Sequence, residues 1–203
     1  MSNLDACIQS CLQYANYFDV ALVLYQLYKD TYVVTNIKKK TWFSFNKNVW
    51  EEREIGPYTE LSTDVLSIFK DQIKTLKKNK RKEHVVNCEK IIQMLGNPSE
   101  KEHICQECLY IFYDNNFIKK LDSNSKLIPF KNGVLCLGSD EFRDGHLTDF
   151  LSIYINDDYK FPNSPTDSKK LDKLIKDFVI FRQKLIRKRL DDMMNQIYFT
   201  SIN

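Results

Sequence analysis

The chain has 203 residues, with 30 Lys and Arg against 27 Asp and Glu, a formal net charge of +3. It is 43% hydrophobic and 28% charged, an ordinary globular balance that predicts one domain, or one with an appendage. Its 13 Phe, 11 Tyr and 2 Trp argue against a disordered chain, and its longest apolar run, residues 20–25, falls far short of the ~20 residues of a membrane span.

The first segment reads as helical. Leu4, Ile8, Cys11, Leu12 and Ala15 keep helical spacing, and a second apolar set follows at Val20, Ala21, Leu24, Tyr25 and Tyr28, with Asp19 as the expected cap between them. Residues 32–35, 41–45 and 49–53 are rich in β-branched and aromatic side chains, which predicts a small antiparallel meander closed by Gly56-Pro57. Ser62 is expected to cap a helix carrying Val65, Phe69, Ile73 and Leu76. Its stripe is interrupted by the basic residues of 77–82 and resumes at Val85, Cys88, Ile92 and Leu95, so one long helix or two joined there are expected. Gly96-Asn97-Pro98 is a stop, and Ser99 with Glu102 reads as a capping box for a helix carrying Ile104, Cys108, Ile111 and Phe112.

After a short turn at 117–121, strands are predicted at 127–130 and 134–137 around Asn132-Gly133, a tight hairpin signal that calls for positive φ at its centre. Residues 141–143 add a third strand. Residues 161–167 read as a linker, followed by a long amphipathic helix marked by Leu171, Leu174, Phe178, Phe181, Leu185, Met193 and Ile197. The expected fold is therefore α+β: helices, two small antiparallel β clusters and a long C-terminal helix. Residues 1–160 form the module, 161–167 the linker and 168–203 the basic helix. The expected core includes Leu24, Trp42, Phe45, Phe69, Ile92, Phe112, Leu121, Phe130 and Val134.

With five glycines and three histidines, the chain carries no phosphate loop, no G-x-G-x-x-G turn, no G-x-S-x-G and no H-E-x-x-H. This predicts a non-catalytic chain with no cofactor. The first residues lack a basic-then-apolar signal, which predicts an intracellular protein whose six cysteines are reduced thiols. His84-x3-Cys88 followed by Cys105-x2-Cys108 is the sharpest metal candidate, because two close pairs of soft ligands suit tetrahedral zinc. Both pairs fall in predicted helices, where cysteines on an apolar face serve as core, so no metal is predicted. The aromatics Tyr32, Trp42, Phe43, Phe45 and Trp50 could stack bases, but a half-buried sheet explains them better.

Charge is uneven along the chain. Residues 140–160 hold six acids against two bases, and residues 169–189 hold nine bases against two acids. Lys77, Lys78, Lys80, Arg81 and Lys82, with Lys184, Arg187, Lys188 and Arg189, are the candidate nucleic-acid contacts. Such side chains neutralise phosphates and release counterions without reading sequence. A solvated helix face is the competing reading.

From Cys108 to Asp149 the sequence carries Phe112, Asp114, Phe117, Leu121, Asp122, Leu127, Ile128, Phe130, Asn132, Gly133, Val134, Phe142 and Arg143. This pattern resembles the module preceding the superfamily III helicase in primase–helicases of nucleocytoplasmic large DNA viruses, phages and plasmids. Val20-Ala21, Tyr25, Tyr32-Val33, Trp42-Phe43, Phe45 and Trp50 resemble the start of that module in its giant-virus branch. Cys136 departs from the family pattern, which usually shows an acid there. The resemblance assigns Phe130, Asn132, Gly133, Val134, Phe142 and Arg143 a structural role. It implies a non-catalytic DNA-replication module whose partners are DNA, bound weakly and without sequence preference, and the helicase and primase domains of the same polypeptide or complex. A second copy of the chain is a further candidate partner, and no membrane is expected. The implied location is the host cytoplasm, at the site of viral replication, or the virion. A structural or packaging protein that kept the fold is the alternative.

Overall fold

The computed structural model describes residues 3–200. The fold is α+β, with two three-stranded antiparallel sheets among helices and a long C-terminal helix. The chain divides into two compact units: residues up to Ser44 with Glu52–Asp114, and Phe45–Glu51 with the residues from Asn115 on.

The first unit opens with α1 (Asn3–Tyr14) and α2 (Tyr17–Tyr28). The break between them uses Ala15 at φ 46° and Asn16 in extended conformation. The cap is Asn16, not Asp19: its side chain accepts the Asp19 N–H at 2.8 Å and donates to Asp19 Oδ2 at 2.7 Å. Asp19 is buried, with Ser10 Oγ donating to its other oxygen at 2.8 Å. Strands β1 (Tyr32–Asn36), β2 (Thr41–Asn46) and β3 (Val49–Arg53) follow in that order, with Val34 opposite Trp42. The free edge of β1 receives Phe112–Asp114, since the Val34 N–H donates to Phe112 O at 2.9 Å and the Asp114 N–H to Val34 O at 3.0 Å.

Helical structure resumes four residues before the expected cap Ser62, with α3 (Tyr58–Glu60), a π turn (Leu61–Val65) and α4 (Leu66–Lys78). Ser62 lies in the π turn, where its hydroxyl accepts from Lys101 Nζ at 2.8 Å. Lys80 at φ 55° separates α4 from α5 (Lys82–Gly96), which settles the two-helix alternative. Helix α6 (Pro98–Ile111) is capped by Asn97, whose side chain accepts the Ser99 N–H at 3.0 Å. Pro98 takes the first helical position, which its fixed φ suits, and this moves the cap two residues back from Ser99. The core holds Leu24, Val34, Phe69, Cys88, Ile91, Ile104 and Cys108, all inaccessible to solvent. Trp42 packs edge-on against Phe112 with centroids 5.5 Å apart. Ile92 is only half-buried because its neighbour Ile91 points inward instead.

The second unit begins with the 45–51 hairpin tip, where Phe45 is half-buried beside Trp50. Trp50 is buried against Phe117, and its indole N–H donates to Leu147 O at 2.9 Å. After α7 (Phe117–Lys120), strands β4 (Leu127–Phe130), β5 (Gly133–Cys136) and β6 (Glu141–Arg143) pair antiparallel. Phe130 lies opposite Gly133, so the connecting residues are Lys131 and Asn132, one position earlier than the Asn-Gly signal predicts. Neither has positive φ. The positive φ falls on Gly133 itself, at 157°, a conformation that L side chains rarely adopt, and space requires glycine as well: a Cβ there would lie 2.7 Å from both Arg143 O and the Phe142 ring.

The final helix, α8 (Pro165–Thr200), starts inside the expected linker, with Ser164 Oγ accepting the Asp167 N–H at 3.2 Å. Phe178, with Leu171, Leu174 and Ile175, packs on Ile128, Phe130, Leu135 and Ile155. Val49, Leu127, Val134 and Leu151 form a second cluster in the same unit. Phe181 breaks the expected stripe at 57% exposed, and Arg182 occupies the inward position beside it. The side chains of Met193 and Ile197 lie outside the described residues.

Candidate nucleic-acid interface

The first basic candidate surrounds the α4–α5 break. Lys77, Lys78, Lys80, Arg81 and Lys82 are all exposed, and the turn between the helices is closed by backbone bonds from Asn79 N–H to Thr75 O, Lys80 N–H to Lys77 O and Arg81 N–H to Leu76 O. Lys77 pairs with Glu89 of α5 at 3.0 Å, with both side chains about half-exposed, so its charge is partly answered within the unit.

Helix α8 sorts its cations by face. Lys184, Arg187 and Lys188 are exposed, as are Lys169, Lys173 and Lys176 nearer its start. Arg189 differs from these. Its Nη1 donates to Asp122 Oδ2 at 2.7 Å and its Nη2 to Ser152 Oγ at 2.8 Å, with the Asp122 carboxylate fully buried. Arg182 is 2% exposed and donates to Leu127 O at 2.7 Å and Ser125 O at 3.1 Å. Burial lowers its guanidinium pKa, and Asp122 works against that shift. Both arginines therefore hold α8 to its own unit. Their spacing gave the one available signal, because Arg182 and Arg189 fall four and eleven residues after Phe178, on the apolar face. Reading arginine as surface hides it.

Asp122 is the hub of this arrangement. It sits at φ 59°, and its carboxylate accepts the Ser152 N–H at 2.8 Å, the Ser152 hydroxyl and Arg189. Its own N–H donates to Phe150 O at 2.6 Å. The loop before β4, the 150–152 segment and α8 thus meet on one carboxylate.

The motif residues around it have contacts of their own. Phe130 and Val134 are buried. Asn132 bonds the Tyr159 backbone twice, accepting its N–H at 2.8 Å and donating to its carbonyl at 3.2 Å. Phe142 stacks on Tyr159 with centroids 4.6 Å apart. Arg143 grips Asp149 through two bonds of 2.8 Å. Burial alone would raise the Asp149 carboxyl pKa, but the bonds from Arg143 and the His146 N–H outweigh it and hold the group below the usual carboxylate range.

The cysteine pairs are packed into the first unit. Cys88 and Cys108 are buried, Cys105 is half-buried, and Cys88 Sγ donates to Phe69 O at 3.2 Å. Burial pushes the Cys88 and Cys105 thiols up to about 11 and Cys108 well above its usual value. His84 Nδ1 is buried without a hydrogen-bond partner. Among the described residues, no three His, Cys, Asp or Glu side chains gather in a way that could hold a metal ion. Trp42, Phe43 and Trp50 are at most 4% exposed, so their faces are not open for bases to stack on.

The match to a family of known proteins covers most of both units. The D5 N terminal like family matches residues 21–180, and the chain belongs to that family. It is 30% identical over 200 residues, 87% of its length, to "Putative helicase L207/L206" of Acanthamoeba polyphaga mimivirus. It is 34% identical over 79 residues, 39% of its length, to "Putative helicase 121R" of Invertebrate iridescent virus 3. The aligned regions cover 21% of the first relative and 8% of the second.

Proposed function

We propose that this chain is a non-catalytic module of viral DNA replication that links DNA to the ring-forming ATPase of a primase–helicase. The observation that carries this reading is the 200-residue likeness to one fifth of a protein named as a helicase, together with the family match. The chain corresponds to a segment of a larger machine, and the fold offers it two exposed basic surfaces, one in each unit. Its partners in this reading are DNA and the helicase and primase domains of the same polypeptide or complex, with a second copy of itself as a further partner. Its place is the viral replication site in the host cytoplasm, or the virion.

The test mixes the purified chain with the ATPase part of the mimivirus relative, with and without DNA. Co-elution of the two proteins and faster DNA-dependent ATP turnover are expected, with no turnover by the chain alone. A chain that forms a defined oligomer yet binds neither DNA nor the ATPase would refute the proposal and favour the packaging role.

A further inference from the structure

We infer that one face of α8 is a docking surface for the phosphate backbone of duplex DNA, which deepens the replication reading and rests on it. At about 100° per residue, Lys169, Lys173, Lys176, Lys184 and Arg187 fall within an arc of about 80° and extend over about 27 Å of helix axis. This arc lies opposite the face of Leu171, Leu174, Phe178 and Arg182, which packs into the unit.

All five cations are exposed, and among the described residues none of them forms an ion pair. The contrast lies on the same helix. Arg182 and Arg189 are turned inward and each donates two hydrogen bonds within the unit, so α8 has two kinds of cation with separate work. Because the inward arginines fix the rotation of the helix, its outer cations are presented as one row.

The row also indicates which nucleic acid fits. Proteins that hold single strands without sequence preference pair their positive charge with aromatic platforms. The arc from Lys169 to Arg187 contains Ile180 and no aromatic side chain. A duplex, with one charge per about 1.7 Å of axis, needs only cations at intervals. Lysines on flexible stems read charge and not base edges, so binding is sequence-independent.

The experiment is fluorescence anisotropy of a labelled duplex of about 30 base pairs titrated with the full chain across a salt series. Five phosphate contacts at about −0.9 each give a log–log salt slope of about −4.5, or about 500-fold weaker binding at 200 mM than at 50 mM salt. Replacing all five residues by Glu should abolish binding at 100 mM salt, and replacing them by Gln should leave a slope near zero with the melting temperature unchanged. Reversal at Lys78, Arg81 and Lys82 should weaken binding less than threefold. If the Gln variant binds like the parent while the α4–α5 variant loses binding, the α8 assignment fails and the replication reading stands. A parent chain that binds no duplex at 50 mM salt removes DNA from both. A preference of tenfold or more for single strands over duplex would also overturn the assignment.

Discussion

Replacing Asp122 by Ala should be among the most damaging single changes in the second unit. Its side chain is fully buried, and it answers Arg189, itself 22% exposed, at 2.7 Å. Breaking a buried pair by removing one partner costs about 3–5 kcal/mol. The partial exposure of Arg189 lets its head find water and pulls that figure toward the lower end. The Ser152 N–H then lacks an acceptor, and Ala at φ 59° adds about 1 kcal/mol of backbone strain. The total comes to about 4 kcal/mol. Asp122→Asn, which tolerates the same backbone and can still accept from Ser152, should cost about half of that. The chain has two tryptophans, Trp42 in the first unit and Trp50 in the second. In a Trp42→Phe background, the fluorescence of Trp50 in urea therefore follows the second unit. A double-mutant cycle with Arg189→Met should show a coupling of about 2 kcal/mol. An Asp122→Ala protein within 1 kcal/mol of its parent, or additive single effects, would refute the hub.

Gly133→Val should destabilise the second unit by about 2 kcal/mol or more through overpacking, whereas Gly138→Ala, whose Cβ would meet nothing within 4 Å, should be close to neutral. Equal melting temperatures for the two variants would contradict the close approach of β6. Asp149 has a depressed folded pKa, so its contribution is complete above its unfolded value of about 3.9 and disappears as pH falls through the folded value. Asp149→Asn should thus lower the urea midpoint at pH 7 and soften its fall on acidification below about pH 4. Parallel pH curves for variant and parent would count against the Arg143 bond. Thiol labelling at pH 8 should leave Cys11, Cys88 and Cys108 unmodified until the protein unfolds, because all three are buried and have raised pKa values. Rapid labelling of Cys108 in native protein would show that the α6 core opens.

The strands were legible because their signal is local. Alternating β-branched and aromatic residues place β1–β3 within a residue of their observed ends, and residues 141–143 form the third strand of the second sheet as expected. Helix starts were harder, because neighbouring candidates compete for one cap. Asn16 displaces Asp19 by having the extended backbone a cap needs, and Pro98 moves the α6 cap to Asn97. The hairpin was found but not its centre, since Gly133 also serves a packing contact with the neighbouring strand β6 that no dipeptide rule contains. The anchoring arginines were hidden for a further reason. Charge assigns Arg182 and Arg189 to solvent, and only their helical phase, together with carbonyls and a carboxylate 55 to 67 residues earlier, places them inside.

Because Val49 and Trp50 belong to the second unit, that unit is stitched from two stretches of chain separated by the whole of residues 52–114. The Trp50 N–H and indole are answered by Leu151 and Leu147, about a hundred residues downstream. On the ribosome, the 45–51 tip emerges long before the residues it packs against are synthesised. The tip must therefore wait, with both N–H groups of its tryptophan unanswered by these carbonyls, until residue 151 has left the exit tunnel. Closing so long a loop costs about 4 kcal/mol of chain entropy, which makes the second unit the slower of the two to fold. A gene segment starting at Asn115 would lack two core side chains that no later part of the sequence supplies, so the two stretches have to be inherited together.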